Sequence, residues 1–222
     1  MKLQNEKELL ELFVSKDSTR PTLTSPFFNT NYNEVWASNT HSLLIVNPDI
    51  LCEKYDKRSL NAPYLGDKNC STTIKLQSLK KALDSFGKIE LFDVKVEHCV
   101  CEECGGGGSV YWSYTDRHGR EYEDYNSCPV CDGEGYADFE KHIPNGKFGI
   151  DPAKIIQIDK AILKASEASL MLMAMEFLHQ DEIHHIFNSH NDPNIFKFSK
   201  DIILIIQPLR FFEDVDAIVE TS

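Results

Sequence analysis

No run of this 222-residue sequence is apolar enough over the length needed to cross a membrane. No signal-peptide pattern opens it either, since Met1–Leu12 is amphipathic and charged. The expected home is the reducing cytoplasm, with no membrane partner. Catalytic constellations are missing as well. No Ser-His-Asp, Cys-His or paired-carboxylate set stands in a persuasive context, so the expectation is not an enzyme. The glycine run Gly105–Gly108 lacks the Lys-Ser/Thr and the strand-to-helix setting of a phosphate loop. Basic residues are scarce: 23 against 35 acids, a net charge of -12. The deficit is local. Between Glu97 and Lys141 eleven acids face three bases, so this stretch carries -8 of the -12. Phosphate would be repelled there, which excludes a nucleic-acid grip by that stretch and favours a protein-facing or structural role.

What the stretch does hold is cysteine. Of seven cysteines, four form Cys101-Glu-Glu-Cys104 and Cys128-Pro-Val-Cys131. Each pair continues as Cys-x-x-Cys-x-Gly-x-Gly, through Gly106 and Gly108 and through Gly133 and Gly135. A Cys-x-x-Cys turn presents two soft ligands from one knuckle, and two such turns fill the four corners of a tetrahedron. The glycines let the backbone turn without a Cβ clash. One Zn2+ held by Cys101, Cys104, Cys128 and Cys131 is the expected cofactor. A redox Cys-x-x-Cys is the rival, disfavoured by the duplicated glycines. Cys52, Cys70 and Cys99 are left over, with Cys99, His98 and His118 as second-choice ligands.

The doubled motif resembles the cysteine-rich zinc region of DnaJ-type (Hsp40) chaperones. That family carries four such motifs and two ions; two motifs here suffice for one. No His-Pro-Asp tripeptide is present, so the resemblance implies a local zinc fold rather than a co-chaperone.

Around this insert, apolar periodicity alternates between helix and strand. Leu9, Leu10, Leu12 and Phe13 predict an amphipathic helix, followed by strands over Thr22–Phe28, Val35–His41 and Ser42–Val46. A polar loop covers Glu53–Ser71. Thr72–Leu76 predicts a short strand, and Leu76, Leu79, Ala82, Leu83 and Phe86 a helix closed by Gly87. Ile89–Val100 leads into the first knuckle and Tyr136–Ile143 leads out, placing the insert at the tip of a long β-hairpin. Asp151-Pro152 predicts a helix start, with Ile155, Ile156, Ile158, Ile162 and Leu163 as its buried stripe. Strands are expected over Ser169–Leu178, Ile183–Asn188, Ile195–Phe198 and Ile202–Gln207, then an acidic tail that frays. The helix-then-strands order appears twice, over Lys2–Val46 and Phe148–Leu209.

The ending Phe196–Arg210, with Gln207-Pro208-Leu209-Arg210 after an apolar strand, is similar to the C-terminal signature of the bacterial β sliding clamp. Arg20-Pro21-Thr-Leu and Val35-Trp-Ala-Ser-Asn-Thr-His41-Ser-Leu43 resemble two further segments of that family, with Asn39 where the clamp usually has Asp. The resemblance implies an α+β fold of DNA-clamp-like repeated βαβββ units with antiparallel sheets, here carrying a small zinc-binding β-hairpin insert. The implied domains are 1–96 with 137–212 for the clamp-like body, 97–136 for the insert and 213–222 for the tail. It also implies a non-enzymatic scaffold in DNA replication or repair, of phage or mobile-element type. Double-stranded DNA would be reached through a homo-oligomeric ring, with Lys80, Lys81, Lys160 and Lys164 facing it. A plain solvated helix face is the competing account of those lysines. The alternative function is a zinc-dependent protein-interaction or chaperone-like module with no DNA role. His179, His184 and His185 read as a polar strand end rather than a second metal site.

Overall fold

The structure is a computed structural model and describes residues 5–17, 19–61, 71–187, 189, 191–209 and 215–221. Contacts divide the chain into two compact units, Met1–Ile89 with Gly149–Ser222, and Glu90–Phe148. The elements run α1 (Glu6–Glu11), β1 (Phe27–Asn29), β2 (Glu34–Ser38), β3 (Ser42–Val46), β4 (Lys57–Arg58), β5 (Ser71–Lys75) and α2 (Leu76–Asp84). The second unit takes up β6 (Ile89–Val100), β7 (Ser109–Thr115), β8 (Glu121–Ser127) and β9 (Tyr136–Gly149). The chain then returns through β10 (Ile155–Ile158), β11 (Ala161–Lys164), α3 (Ala165–Phe177), β12 (Glu182–Ile186), β13 (Asn194–Lys197), β14 (Ile202–Ile206) and β15 (Ala217–Val219).

The first unit is α+β and mostly antiparallel. Its main sheet has the order β4-β1-β2-β3-β14-β13-β12-β5 among the described residues. The order is symmetric about its middle. Each half is a helix followed by a three-stranded meander, α1-β1-β2-β3 and α3-β12-β13-β14, and the third strands pair with each other. Leu44 sits opposite Leu204, with Val46 opposite Ile202 and Ser42 opposite Ile206. The third strands of the two halves thus meet antiparallel, centre to centre. With β11 before α3, the second half is a complete βαβββ unit.

Alternation explains the layering. On β2, β3 and β14 the residues Val35, Ala37, Leu44, Val46, Ile202, Leu204 and Ile206 point to one face. There they pack with Leu9, Leu10 and Phe13 of the first helical segment, Leu79 and Leu83 of α2, and Met171 and Met175 of α3. Each fully buried leucine contributes about 1.5–3 kcal/mol. Trp36, Ile45 and Ile205 point the other way and form a smaller cluster with Phe27. The Glu6 carboxylate, itself buried, accepts the Cys52 N–H at 2.5 Å, the Glu53 N–H at 2.7 Å and the Tyr55 hydroxyl at 3.0 Å. Helix α1 is thereby fastened to the segment that follows β3.

Several expected elements are different. Residues 155–164, expected as a helix, form the β10–β11 hairpin, turning at Asp159 (φ 54°). Four isoleucines in that stretch are stiff at χ1 and favour the extended chain. Residues 169–178, expected as a strand, lie largely in α3. Its sequence Ala165–Phe177 contains no β-branched residue, glycine or proline, and alanine, leucine and methionine are strong helix formers. Thr22–Phe28 is not one strand: Pro21–Leu23 is a 3-10 turn, and β1 begins at Phe27. β2 stops at Ser38 because Asn39 Oδ1 accepts the N–H groups of His41 (2.9 Å) and Ser42 (2.7 Å), closing a turn with Thr40 at φ 81°. A carboxylate oxygen could accept the same two bonds, so Asn39 preserves this turn. The tail does not fray where it is described. Ala217–Val219 pairs in parallel with β10, and Asp216 caps the junction by accepting the Ile155 N–H at 2.9 Å. Arg210, Phe211 and Phe212 lie outside the described residues, as do residues 62–70 of the expected polar loop, Cys70 among them. Gln207 donates its N–H to the His41 carbonyl and Leu209 to that of Ile162, so Gln207–Leu209 continues the body rather than standing free.

Candidate metal centre

The second unit, Glu90–Phe148, is built from two two-stranded ribbons, β6 with β9 and β7 with β8. Its contact boundary takes in the stalk strands on both sides of 97–136, because β6 and β9 pair only with each other among the described residues. Between the ribbons sit the two knuckles. Every feature of the first recurs 27 positions later in the second: Cys101 and Cys128, Cys104 and Cys131, Gly106 and Gly133, Gly108 and Gly135.

The backbone repeats with the same period. Cys101 donates its N–H to the Gly135 carbonyl at 2.9 Å, and Cys128 donates to the Gly108 carbonyl at 2.9 Å. Within each knuckle, Gly108 donates to Cys104 Sγ at 3.3 Å and Gly135 to Cys131 Sγ at 3.2 Å. Gly108 and Gly135 are obligatory. A Cβ on Gly108 would lie 2.3 Å from the Gly133 carbonyl oxygen, and one on Gly135 would lie 2.4 Å from that of Gly106. Both have φ near the left-handed region, +72° and +80°. The knuckles therefore press backbone against backbone, which brings their sulfurs together.

All four Sγ atoms lie within 4.8 Å of one another. Cys101 and Cys128 are 3.8 Å apart and Cys104 and Cys131 3.7 Å. A disulfide needs about 2.05 Å, so neither pair is bonded sulfur to sulfur. A regular tetrahedron with metal–sulfur bonds of about 2.3 Å has edges of about 3.8 Å. The observed pairs match that edge, so the cluster can hold one four-coordinate ion. Cys101, Cys128 and Cys131 are buried and Cys104 is half-buried. Among the described residues no other group of three or more His, Cys, Asp or Glu side chains gathers in this way.

The thiols do not share charge evenly. Burial opposes ionisation of Cys104, but the amide N–H groups of Gly108 and Gly106 outweigh it and push that thiol below the usual range. At Cys101 the Cys104 amide favours the thiolate, yet burial and the neighbouring thiols of Cys104 and Cys128 prevail and push it up. Ionisation is therefore easier at Cys104 than at Cys101. His98 and Cys99 stay outside the cluster. His98 Nδ1 lies 2.8 Å from Asp138 Oδ1, and its ring stacks on Tyr136 with centroids 5.8 Å apart.

The remaining expected site residues are dispersed. Lys80 and Lys81 are exposed on α2, and Lys80 Nζ is 2.9 Å from Glu176 Oε1 of α3. Lys160 and Lys164 are exposed but lie on the β10–β11 hairpin rather than on a helix. Lys160 sits over the Phe187 ring, 6.0 Å from its centroid. The three histidines separate too. His185 is fully buried, donating from Nε2 to Asn194 Oδ1 at 3.1 Å and stacking on Phe196. Its Nδ1 is 3.5 Å from Asp159 Oδ2. Burial pushes its pKa below the ordinary imidazole value of 6.5, against the opposing pull of Asn194 and Asp159. His184 and His179 are exposed.

The sequence analysis assigns no element to 109–127, where the β7–β8 hairpin stands. Ser109 to Thr115 pair with Ser127 to Glu121 in unbroken register. The signals were the aromatic-rich Tyr111-Trp-Ser-Tyr114 and the turn at Asp116–Arg120, where Asp116 and Arg120 bond across and Gly119 takes φ 77°.

No family model and no curated protein matches the sequence. Among solved structures the chain is similar to the DNA polymerase III beta subunit of Borrelia burgdorferi, at 11% identity and a TM-score of 0.48, covering 93% of this chain and 61% of that one. It is also similar to the beta subunit of Thermotoga maritima, at 10% identity and a TM-score of 0.44, covering 96% and 65%. For the beta subunit of Pseudomonas aeruginosa the figures are 11%, 0.43, 93% and 65%. The chain spans less than two thirds of the length of each.

Proposed function

We propose that this chain is a non-enzymatic, clamp-like scaffold whose arm is stapled by one Zn2+ on Cys101, Cys104, Cys128 and Cys131. The observation that carries the scaffold reading is the symmetric strand order, in which two helix-and-meander halves join into one sheet through β3 and β14. The clamp-like motifs at Arg20–Leu23, Val35–Leu43 and Gln207–Leu209 support it. Four soft sulfur ligands at tetrahedral spacing support zinc as the ion. Four thiolates close the coordination sphere, so the metal's contribution is cross-linking: it supplies folding energy to a unit with little core of its own. The chain's part is to hold the ligands ready. The glycine contacts fix the spacing, the Gly108 and Gly135 amides donate to two sulfurs, and the buried knuckles keep water from the others. A reducing cytoplasm, where such thiols persist, is the proposed location.

The finer reading is an accessory of DNA replication or repair, of phage or mobile-element type, assembling as a homo-oligomeric ring. In that reading the body is 1–96 with 137–212, the arm is 97–136, and Lys80, Lys81, Lys160 and Lys164 face duplex DNA. Exposure of all four supports it, although the Glu176 carboxylate offsets Lys80. Sedimentation and retention on closed circular DNA test the assembly. Retention that disappears when the circle is linearised is expected. A strict monomer released from circular and linear DNA alike at low salt refutes the ring. A variant with the four lysines changed to alanine is expected to lose retention while staying folded.

A further inference from the structure

The β7–β8 hairpin presents more aromatic surface than a two-stranded ribbon can bury. The register assigns its faces. Val110, Trp112, Tyr114, Tyr122, Asp124 and Asn126 share one, and Tyr111, Ser113, Thr115, Glu121, Glu123 and Tyr125 the other. On the first face Trp112 is 47% exposed and Tyr114 65%. Some of this has a local account. Tyr114 stacks with Tyr122, and Tyr111 meets Tyr125 edge to face; such cross-strand pairs hold a ribbon together. Trp112 has no such account. Directly opposite it stands Asp124, and among the described residues it stacks on no other ring.

Charge identifies what would cover this face. Among the described residues Asp124 accepts only the N–H of Tyr125, and Asp116 accepts turn amides and the Tyr122 hydroxyl. Among the described residues none of Asp116, Glu121, Glu123 and Asp124 has a cationic partner. Over 101–136 eight acids oppose two arginines, and both arginines lie in the hairpin turn. A second copy of the arm would bring like charge against like, and nucleic acid would bring more of it. A cation is favoured twice here, by unpaired carboxylates and by the face of an indole. Among the described residues both strands of the ribbon also carry an unpaired edge, along which an extended peptide can lie.

We propose that the Trp112–Tyr114–Tyr122 face, with Asp124 and Asp116, docks an extended arginine- or lysine-bearing segment of a partner protein. The inference rests on the reading of this unit as a metal-stapled arm. The guanidinium or ammonium group sits between the Trp112 ring and the Asp124 carboxylate, and the partner's apolar stems cover the tyrosines. The test uses the full chain loaded with Zn2+ and dye-labelled twelve-residue peptides of alternating Arg and Ser, Glu and Ser, or Leu and Ser, followed by anisotropy. Trp112 fluorescence reports contact directly, because Trp36 is only 3% exposed. The Arg peptide is expected to bind saturably, more weakly as salt rises. Trp112→Ala weakens it about tenfold and Asp124→Asn about threefold. Equal binding of the Glu or Leu peptide, wild-type binding by both variants, or displacement by a deoxythymidine oligomer would overturn the proposal. Metal is counted on the same samples. Retained metal without Arg-peptide binding refutes the docking face alone, whereas a chain that takes up no zinc refutes the staple, and the titration decides the face in either case.

Discussion

Replacing Gly135 with alanine isolates the contact on which the metal centre depends. The new Cβ would lie 2.4 Å from the Gly106 carbonyl oxygen, and both groups are backbone, so no side chain can turn aside. The residue also sits at φ +80°. The left-handed placement costs an alanine about 1–2 kcal/mol, and spreading packed backbone costs about another 1–3 kcal/mol. Together these predict metal retention weaker by at least about 30-fold, because separating the knuckles lengthens sulfur–sulfur edges that now measure 3.7 and 3.8 Å. Gly119 supplies the control. Its φ is +77°, nearly the same, but no atom lies within 4 Å of its would-be Cβ. It is about 20 Å up the strands from the knuckles, so Gly119→Ala should strain the hairpin turn yet leave zinc affinity within about twofold. Competition with a chromogenic chelator measures both. Wild-type affinity in Gly135→Ala, or equal losses in the two variants, would refute the reasoning.

Cys104→Ser is expected to release the metal and melt Glu90–Phe148 while leaving the body folded, since no residue from 90 to 148 belongs to the body's apolar clusters. Metal counting with denaturant unfolding checks this, and a chain that unfolds as a whole would contradict it. His185 predicts acid sensitivity. Its folded pKa lies below 6.5, so as pH falls beneath 6.5 the unfolded chain takes the proton first, and stability is lost until the folded pKa is passed. The urea midpoint should fall with pH in that window, and His185→Phe should flatten that part of the slope. An unchanged slope would show that another group is responsible.

The most legible part of the chain was the part with the fewest geometric options. Four cysteines and four glycines at a constant offset of 27 leave little besides a paired knuckle. The strands β3 and β14 were legible because short, nearly all-apolar runs bounded by turn residues admit few other structures. The same logic failed where an apolar run suited either period. Ile155–Leu163 carries spacing compatible with a helix stripe, and β-branching, not spacing, decides for strands. In α3 nearly every side is covered, so no polar face reveals the period. The misplacement moved Lys160 and Lys164 from an expected helix to a hairpin. Burial of His185 was invisible because its partners, Asn194 and Asp159, are distant in sequence and meet it only through the β12–β13 pairing and the β10–β11 turn. The β7–β8 hairpin was hidden by its acids, which mask aromatic residues that usually signal a strand.

X-ray absorption at the zinc edge of the purified full chain tests the central claim most directly. One zinc per chain with four sulfur scatterers at about 2.3 Å, and no oxygen or nitrogen in the coordination sphere, is the predicted result. Fewer than four sulfurs, a bound water, or no stoichiometric metal would contradict it.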